Sequence, residues 1–378
     1  MPIDIRSRIP AASTQPATGE DQALANYLDF YLNRRRGFEP EVIVRAARDQ
    51  ELLGFDSSLF PQYATRAAVW PVVGWALAHT TRLKLVAAHR IGVQEPAIAA
   101  RTLATLDRLS DGRINVHVLQ GRGDEDLQRD GVFISKEEGY ERSHEYLDIF
   151  VNTLTATEPF SYHGKHYRIE ESRSDVRPVQ APYPLLSIPG TSDQGVELAV
   201  RYADVHTVPT ATPELAAQGI ARTRAAAERL GRTRPIGFWG DANIVLAETD
   251  DKAWELAHRI GDAVAAVKGE AQEHQYVHGD AYARDVTNEG PVWYARLNRL
   301  SGHGYTLVGS PATLANYLLG LYRLGINIIT LGGIGQAYTK DGVLLDPAGE
   351  HGLLRQLIAL LHEGALAIDQ EQDLRAAA

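Results

Sequence analysis

Short runs of β-branched and apolar residues recur along the chain, each followed by a stretch whose apolar positions repeat at helical spacing. The runs lie at 2–10, 55–60, 83–89, 114–120, 184–190, 204–210, 236–248 and 326–333, giving eight predicted strands. Helical patterns fill 40–53, 66–80, 96–110, 136–155, 193–203, 212–230, 250–268 and 311–324, with another at 351–365. Regular strand–helix alternation requires parallel strands joined by right-handed crossovers. Eight such units close naturally into a (β/α)8 TIM barrel, the α/β class expected here. The competing arrangement, a doubly wound open sheet, calls for a glycine-rich loop after its first strand. The residues there, RIPAASTQPATG, do not match G-x-G-x-x-G.

The stretch EPAIAARTLATLDRLSDGRINVHVLQG, residues 95–121, shows the logic of one unit. Pro96 suits the first helical position, where its missing N–H costs nothing. Ala99, Ala100, Leu103 and Ala104 let the helix approach the barrel wall, with Leu106 and Leu109 expected to join a turn later. Gly112 supplies the stop. INVHVLQG then reads as a strand buried on both faces. Gln120 and Gly121 emerge at its C-terminal end, where barrels keep their chemistry.

Two regions break the alternation. EPFSYHGKHYRIEE, residues 158–171, reads as a β-hairpin excursion before the fifth strand. Residues 268–305 are polar, glycine-punctuated and rich in aromatics, and are expected to form a mobile lid between strands seven and eight. Nothing resembles a linker, so residues 1–378 read as one barrel domain, with 366–378 as a C-terminal tail.

Composition narrows the function. A net charge of −10 argues against a protein built to neutralise nucleic-acid phosphates, and points to small ligands. The absence of cysteine excludes disulfides, thiolate catalysis and cysteine-ligated metals, and fits a reducing cytoplasm. No signal-peptide run or membrane-length apolar segment appears, so a cytoplasmic location off the membrane is expected. There is no HExxH, no GxSxG and no metal-ligand cluster, and no metal is expected.

The residues AARTLATLDRLSDGRINVHVLQG, then RDGVF, EGYERS and HGKHYRI, resemble the bacterial luciferase-like superfamily of flavin-dependent monooxygenases, most of all its alkanesulfonate monooxygenase branch. PVQAPYPLLSIPGTS is similar to that family's P-x-Q-x-P-Y-P segment ending in G-G-S-S, and YTLVGSPATLANYL and LGINIITLGG to its last crossover and strand. The likeness covers roughly residues 40–365. It implies a TIM barrel that binds reduced FMN delivered by a separate NAD(P)H-dependent flavin reductase. Dioxygen adds to the flavin, and the resulting peroxyflavin oxygenates a small organic substrate, an organosulfur compound in the branch resembled. A homodimer is also implied, and the apolar, alanine-rich helices 66–80 and 96–110 suit a second subunit.

The resemblance further implies site residues. Tyr140 falls where the family's tyrosine contacts the flavin phosphate, although a helix-surface tyrosine packing on a neighbour reads the same way. Gly190, Thr191 and Ser192 take the G-G-S-S position, where N–H groups and hydroxyls at a helix start suit an anion and Thr or Ser is equally an ordinary N-cap. On strand four His117 and Gln120 replace the Asn and Thr of the family's N-x-x-T-G, with Gly121 after them; both can hydrogen-bond flavin heteroatoms, and His117 also reads as a satisfied core histidine. His117 and His89, with His303 behind them, are the acid–base candidates. Arg90, Arg66 and Arg299 are candidate substrate cations, as rim arginines alongside Arg122 and Arg296, or simply solvated loop charges.

Several family features are missing. Strand seven carries Asp241 and Asn243 where alkanesulfonate monooxygenases have R-x-H, so both join the catalytic candidates with a cation turned into an anion. AASTQ replaces T-H-G-D-G after strand one, the family's cysteine aligns with Arg66, and its tyrosine with Ile334. Two other functions share these features: an oxidoreductase using the deazaflavin F420, and a flavin-binding protein without catalysis.

Overall fold

The computed structural model describes residues 2–16, 22–35, 37–121, 124–269, 292, 295–301, 306–333, 337–346 and 349–377. The eight predicted strands all form, and the fold is a (β/α)8 barrel of parallel strands with surrounding helices. Two compact units share it: one of Met1–Asp56, Pro209–Ile220 and Phe238–Ala378, the other of Ser57–Val208 and Ala221–Gly237.

The first unit holds strands β1 (Asp4–Arg8), β9 (Gly237–Leu246), β10 (Thr306–Gly309) and β11 (Ile326–Gly332). Its helices are α1 (Gln22–Tyr31), α2 (Pro40–Leu53), α9 (Asp250–Lys268), α10 (Ala295–Ser301), α11 (Pro311–Leu324) and α12 (Glu350–Ala377). Strand β11 lies between β1 and β9, with Arg6 level with Thr330, Thr330 with Asp241, and Gly332 with Asn243. Strand β10 was not among the predicted elements. It pairs with the far part of β9, Asn243 to Leu246, and its four residues are too short for a period to declare itself.

The second unit holds β2 (Ser57–Phe60), β3 (Lys84–Arg90), β4 (Ile114–Leu119), β7 (Leu186–Pro189) and β8 (Val205–Thr207), in that order across its parallel sheet. Around them lie α3 (Val69–Ala78), α4 (Pro96–Ser110), the short α5 (Asp124–Arg129), α6 (Lys136–Thr155), α7 (Asp193–Tyr202) and α8 (Pro213–Arg229), most of which belongs to this unit. The expected hairpin is present as β5 (Phe160–His163) and β6 (Arg168–Ser172), paired antiparallel.

Local chemistry explains the boundaries. Pro96 opens α4, and Ala97, Ala99, Ala100, Leu103 and Ala104 are buried as the pattern requires. Leu109, expected beside them, is 78% exposed. The helix ends with Asp111 at φ +54° and Gly112 at +79°, the Gly112 N–H closing on the Asp107 carbonyl at 2.9 Å. The buried Asp107 carboxylate in turn accepts from the N–H groups of Val179 (2.6 Å) and Gln180 (3.0 Å), fixing the approach to β7. Helix α6 starts with a capping box between Ser135 and Glu138.

Two expectations need correction. The helix expected from 66 starts at Val69, because Pro71 then falls in the first turn, where no intrahelical bond needs its N–H. The tail expected at 366–378 is helical through Ala377, with Ile368 buried and Asp369 accepting the Tyr322 hydroxyl at 2.8 Å. Most of the expected lid, including His303, lies outside the described residues, as do Arg122 and Ile334.

Candidate functional site

In parallel barrels the C-terminal strand ends carry the chemistry. In the second unit the ends of β4 and β7 and the first half of α6 meet in one place. Tyr140 of α6 and Ser192, the residue that caps α7, share a hydrogen bond of 2.7 Å between their hydroxyls. The Ser192 oxygen also accepts from the Gly195 N–H at 3.1 Å. A methyl group on Gly195 would stand 3.0 Å from the Gly190 Cα and 3.2 Å from both the Ser192 and the Tyr140 oxygens. Gly190 itself sits at φ +147°, and a Cβ there would lie 2.9 Å from the Gly195 Cα. Two glycines thus leave an opening that two hydroxyls and the start of a helix surround.

The turn is braced from behind. His206 of β8, 2% exposed, lies with its Nε2 2.9 Å from the Gly190 carbonyl and its Nδ1 2.8 Å from the Thr223 hydroxyl. A carbonyl only accepts, so Nε2 carries the proton and Nδ1 accepts from Thr223. Burial lowers the His206 pKa to about 4, which keeps the ring neutral. Arg222 of α8 donates through Nη1 to the Thr191 carbonyl and holds the Asp193 carboxylate at 2.5 Å through Nη2.

Strand β4 adds two side chains to this end of the unit. The Gln120 amide nitrogen donates to Ser143 of α6 at 3.1 Å, and the His117 Nδ1 lies 2.9 Å from the Ser187 hydroxyl on β7. Gly121, at φ +133°, has a more local reason to be glycine: a Cβ there would meet Leu127 at 2.5 Å.

Three expected site residues are placed differently. His89 is fully buried, its Nε2 2.5 Å from the Tyr146 hydroxyl and its ring 5.4 Å from that of Trp70. Burial lowers its pKa to about 3, so it does not cycle a proton near neutrality. Arg90 is 1% exposed and already paired with Asp126 at 2.5 Å and with Asp130. Two carboxylates claim this cation, which makes it a structural ion rather than a substrate clamp. Arg66 precedes α3 on the surface, with its guanidinium 5.4 Å from the Tyr63 ring centroid.

In the first unit, Asp241 and Asn243 project from β9 beside Gly332. Arg8 of β1 reaches Asp241 with a separation of 3.3 Å. A Cβ on Gly332 would stand 2.5 Å from the Asn243 Oδ1 and 3.1 Å from an Arg8 nitrogen, so the bare glycine is what lets these side chains approach. The lower layer holds the fully buried Arg6 over the Trp239 ring at 4.4 Å. Arg296 pairs with Asp262 at 2.7 Å; Arg299 is on α10, and its side chain lies outside the described residues. The sequence reading missed Arg8, Ser143, His206, Arg222 and Thr223. Arg6 and Arg8, two residues apart in a largely buried strand, already carried a signal, because a period of two puts both on the same face.

The model of the family described as "Luciferase-like monooxygenase" matches residues 11–327. The chain belongs to the luciferase-like monooxygenase family. Among solved structures it is similar to the EDTA monooxygenase EmoA from Chelativorans sp. BNC1, at 14% identity, with 96% of this chain and 94% of that one covered and a TM-score of 0.69. The oxygenating constituent of 3,6-diketocamphane monooxygenase from Pseudomonas putida, a type II Baeyer-Villiger monooxygenase in complex with FMN, gives 16% identity, 96% and 99% coverage and a TM-score of 0.68. An F420-dependent secondary alcohol dehydrogenase gives 17%, 96% and 99%, and 0.64. At these identities the likeness establishes the common fold.

Proposed function

We propose that the protein is the oxygenase half of a two-component system, using reduced FMN and dioxygen to oxygenate a small organic substrate, with organosulfur compounds the class to examine first. The observation that carries this reading is the hydroxyl pair of Tyr140 and Ser192 at the start of α7, with Gly195 leaving room beside it. A dianionic phosphate is well suited to N–H groups and hydroxyls at a helix N-terminus. Tyr140, Thr191 and Ser192 would hold it, with Gly190 letting the backbone come close. Gln120 and His117 supply hydrogen-bonding groups for the flavin ring.

Bound reduced FMN supplies the electrons that activate dioxygen, one oxygen atom going to the substrate and the other to water. The chain's part is to bind, orient and exclude water. His117 is the proton-handling side chain of this proposal. Its Nδ1 lies 2.9 Å from the Ser187 hydroxyl, and imidazole is the side chain whose ordinary titration lies nearest neutrality. Asp241 and Asn243 of the first unit are the further candidates of this proposal, on the strand where the resembled branch has an arginine–histidine pair, and Arg8 pairs with Asp241.

A homodimer formed through α3 and α4 accords with their surface: Trp75 is 47% and Ile98 46% exposed, and a groove of about 400 Å³ runs between Trp70, Pro71, Ile98 and Leu106. No helix among the described residues is long and apolar enough to cross a membrane, and the proposal places the protein in the cytoplasm.

The test supplies the protein with FMN, NAD(P)H, a flavin reductase and ¹⁸O₂, against a panel of organosulfur and other small substrates. The expected result is one labelled oxygen in the product, dependent on the reductase. Oxygen-independent hydride transfer with reduced F420 would select the deazaflavin reading, and flavin binding without product would select the non-catalytic one.

A further inference from the structure

We infer that His206 is a positioning residue for the phosphate end of the flavin site: by holding the Gly190 carbonyl it turns the Thr191 N–H outward as an anion donor. The inference rests on the proposed FMN reading.

In a trans peptide the C=O and the following N–H point in opposite directions. The Gly190 carbonyl is fixed on His206 at 2.9 Å, so the Thr191 N–H faces away from that ring. The next peptide repeats the arrangement, its Thr191 carbonyl held by Arg222 and its Ser192 N–H therefore directed away from the guanidinium. Among the described residues, neither N–H meets an acceptor. Backbone N–H groups left to an outside acceptor are what anion sites are built from, and the Ser192 and Tyr140 hydroxyls stand at the same turn.

The turn needs an outside brace. Gly190 must lack a side chain because of its approach to the Gly195 Cα, and glycine is the residue with the most backbone freedom to lose. His206 removes that freedom from a buried position, and its ring is itself fixed at the far nitrogen by Thr223, fully buried on α8. At 2% exposure His206 does not face a substrate. Its contribution passes through the backbone.

The test compares dissociation constants of oxidised FMN and riboflavin, which differ by the phosphate, using flavin fluorescence on the full-length protein. In His206→Phe, which keeps a ring but loses both hydrogen bonds, FMN affinity is expected to fall about tenfold with riboflavin affinity unchanged. His206→Gln, whose amide nitrogen can occupy the Nε2 position, is expected to recover most of the loss. Thr223→Val, a near-isosteric change, is expected to give a smaller loss of the same kind; it decides the matter together with His206→Gln if His206→Phe does not fold. Equal weakening of FMN and riboflavin across these variants would make His206 merely structural and overturn the inference. A control separates this from failure of the parent reading. If Tyr140→Phe with Ser192→Ala leaves the preference for FMN over riboflavin intact, there is no phosphate at this turn and both ideas fall. If that pair abolishes the preference and the His206 and Thr223 variants keep it, only the role of His206 is lost.

Discussion

The hydroxyl oxygens of Tyr140 and Ser192, 52 residues apart in the chain, lie 2.7 Å from each other. This contact ties α6 to the turn that opens α7. The two residues do not contribute alike to stability. Ser192 is also an N-cap, so Ser192→Ala should cost about 1 kcal/mol of folding stability, whereas Tyr140→Phe keeps the ring and loses one half-exposed bond. We expect both to weaken FMN by roughly five- to thirtyfold, a loss of about 1–2 kcal/mol, with only Ser192→Ala shifting the urea midpoint clearly. Equal effects on the midpoint, with FMN unaffected, would mean the contact serves the fold alone.

Gly195 offers a second check, since two effects oppose each other there. Alanine favours a helix over glycine by about 1 kcal/mol. The new methyl, however, would press on the Gly190 Cα at 3.0 Å, a backbone atom that cannot swing aside. Overpacking of that kind costs about 1–3 kcal/mol, so crowding wins. Gly195→Ala should lower stability modestly and reduce FMN affinity strongly, because the methyl also stands where the two hydroxyls face. A stabilised variant with normal FMN binding would show that the opening is incidental.

Much of this was legible in the residues alone. The eight strands follow from β-branched runs alternating with helical spacing, and the placement of Tyr140 near the 190–192 turn follows from family motifs. What the pattern could not show was pairing. His89 and Arg90 end a strand and so fall near the rim, but whether a rim side chain faces a ligand or a neighbour depends on contacts from distant residues. Tyr146 claims the one, Asp126 and Asp130 the other. Arg8 was hidden for the same reason, since it reaches Asp241 of β9 from β1, more than two hundred residues earlier in the chain.

Burial separates the two rim arginines energetically. Arg90→Ala would strand two carboxylates against a site that was 1% exposed, and breaking a buried pair costs about 3–5 kcal/mol. The Arg8–Asp241 pair is about one-third to two-fifths exposed at 3.3 Å, in the range where ion pairs contribute under about 1 kcal/mol. Urea unfolding should therefore show a large loss for Arg90→Ala and a small one for Arg8→Ala. The second variant should instead change KM or product profile once a substrate is found. A large stability loss for Arg8→Ala would move it from specificity to scaffold.

Two buried histidines predict how stability depends on pH. His89 and His206 have pKa values lowered to about 3 and about 4, both chiefly by burial. The unfolded chain takes up these protons near pH 6.5, and the folded chain does not until far lower. Both contributions are therefore fully present above pH 6.5 and are lost as pH falls from there toward 4 and then 3. The limiting slope of about 1.4 kcal/mol per pH unit for each histidine is reached about one unit below the unfolded pKa, so the pair should cost roughly 3 kcal/mol between pH 6.5 and 5. Urea midpoints measured at pH 7, 6 and 5 should fall accordingly, and His206→Gln should flatten the slope by about half. Imidazole NMR signals titrating near 6.5 for both rings would remove the burial argument, and with it the neutral tautomer that the Gly190 contact requires.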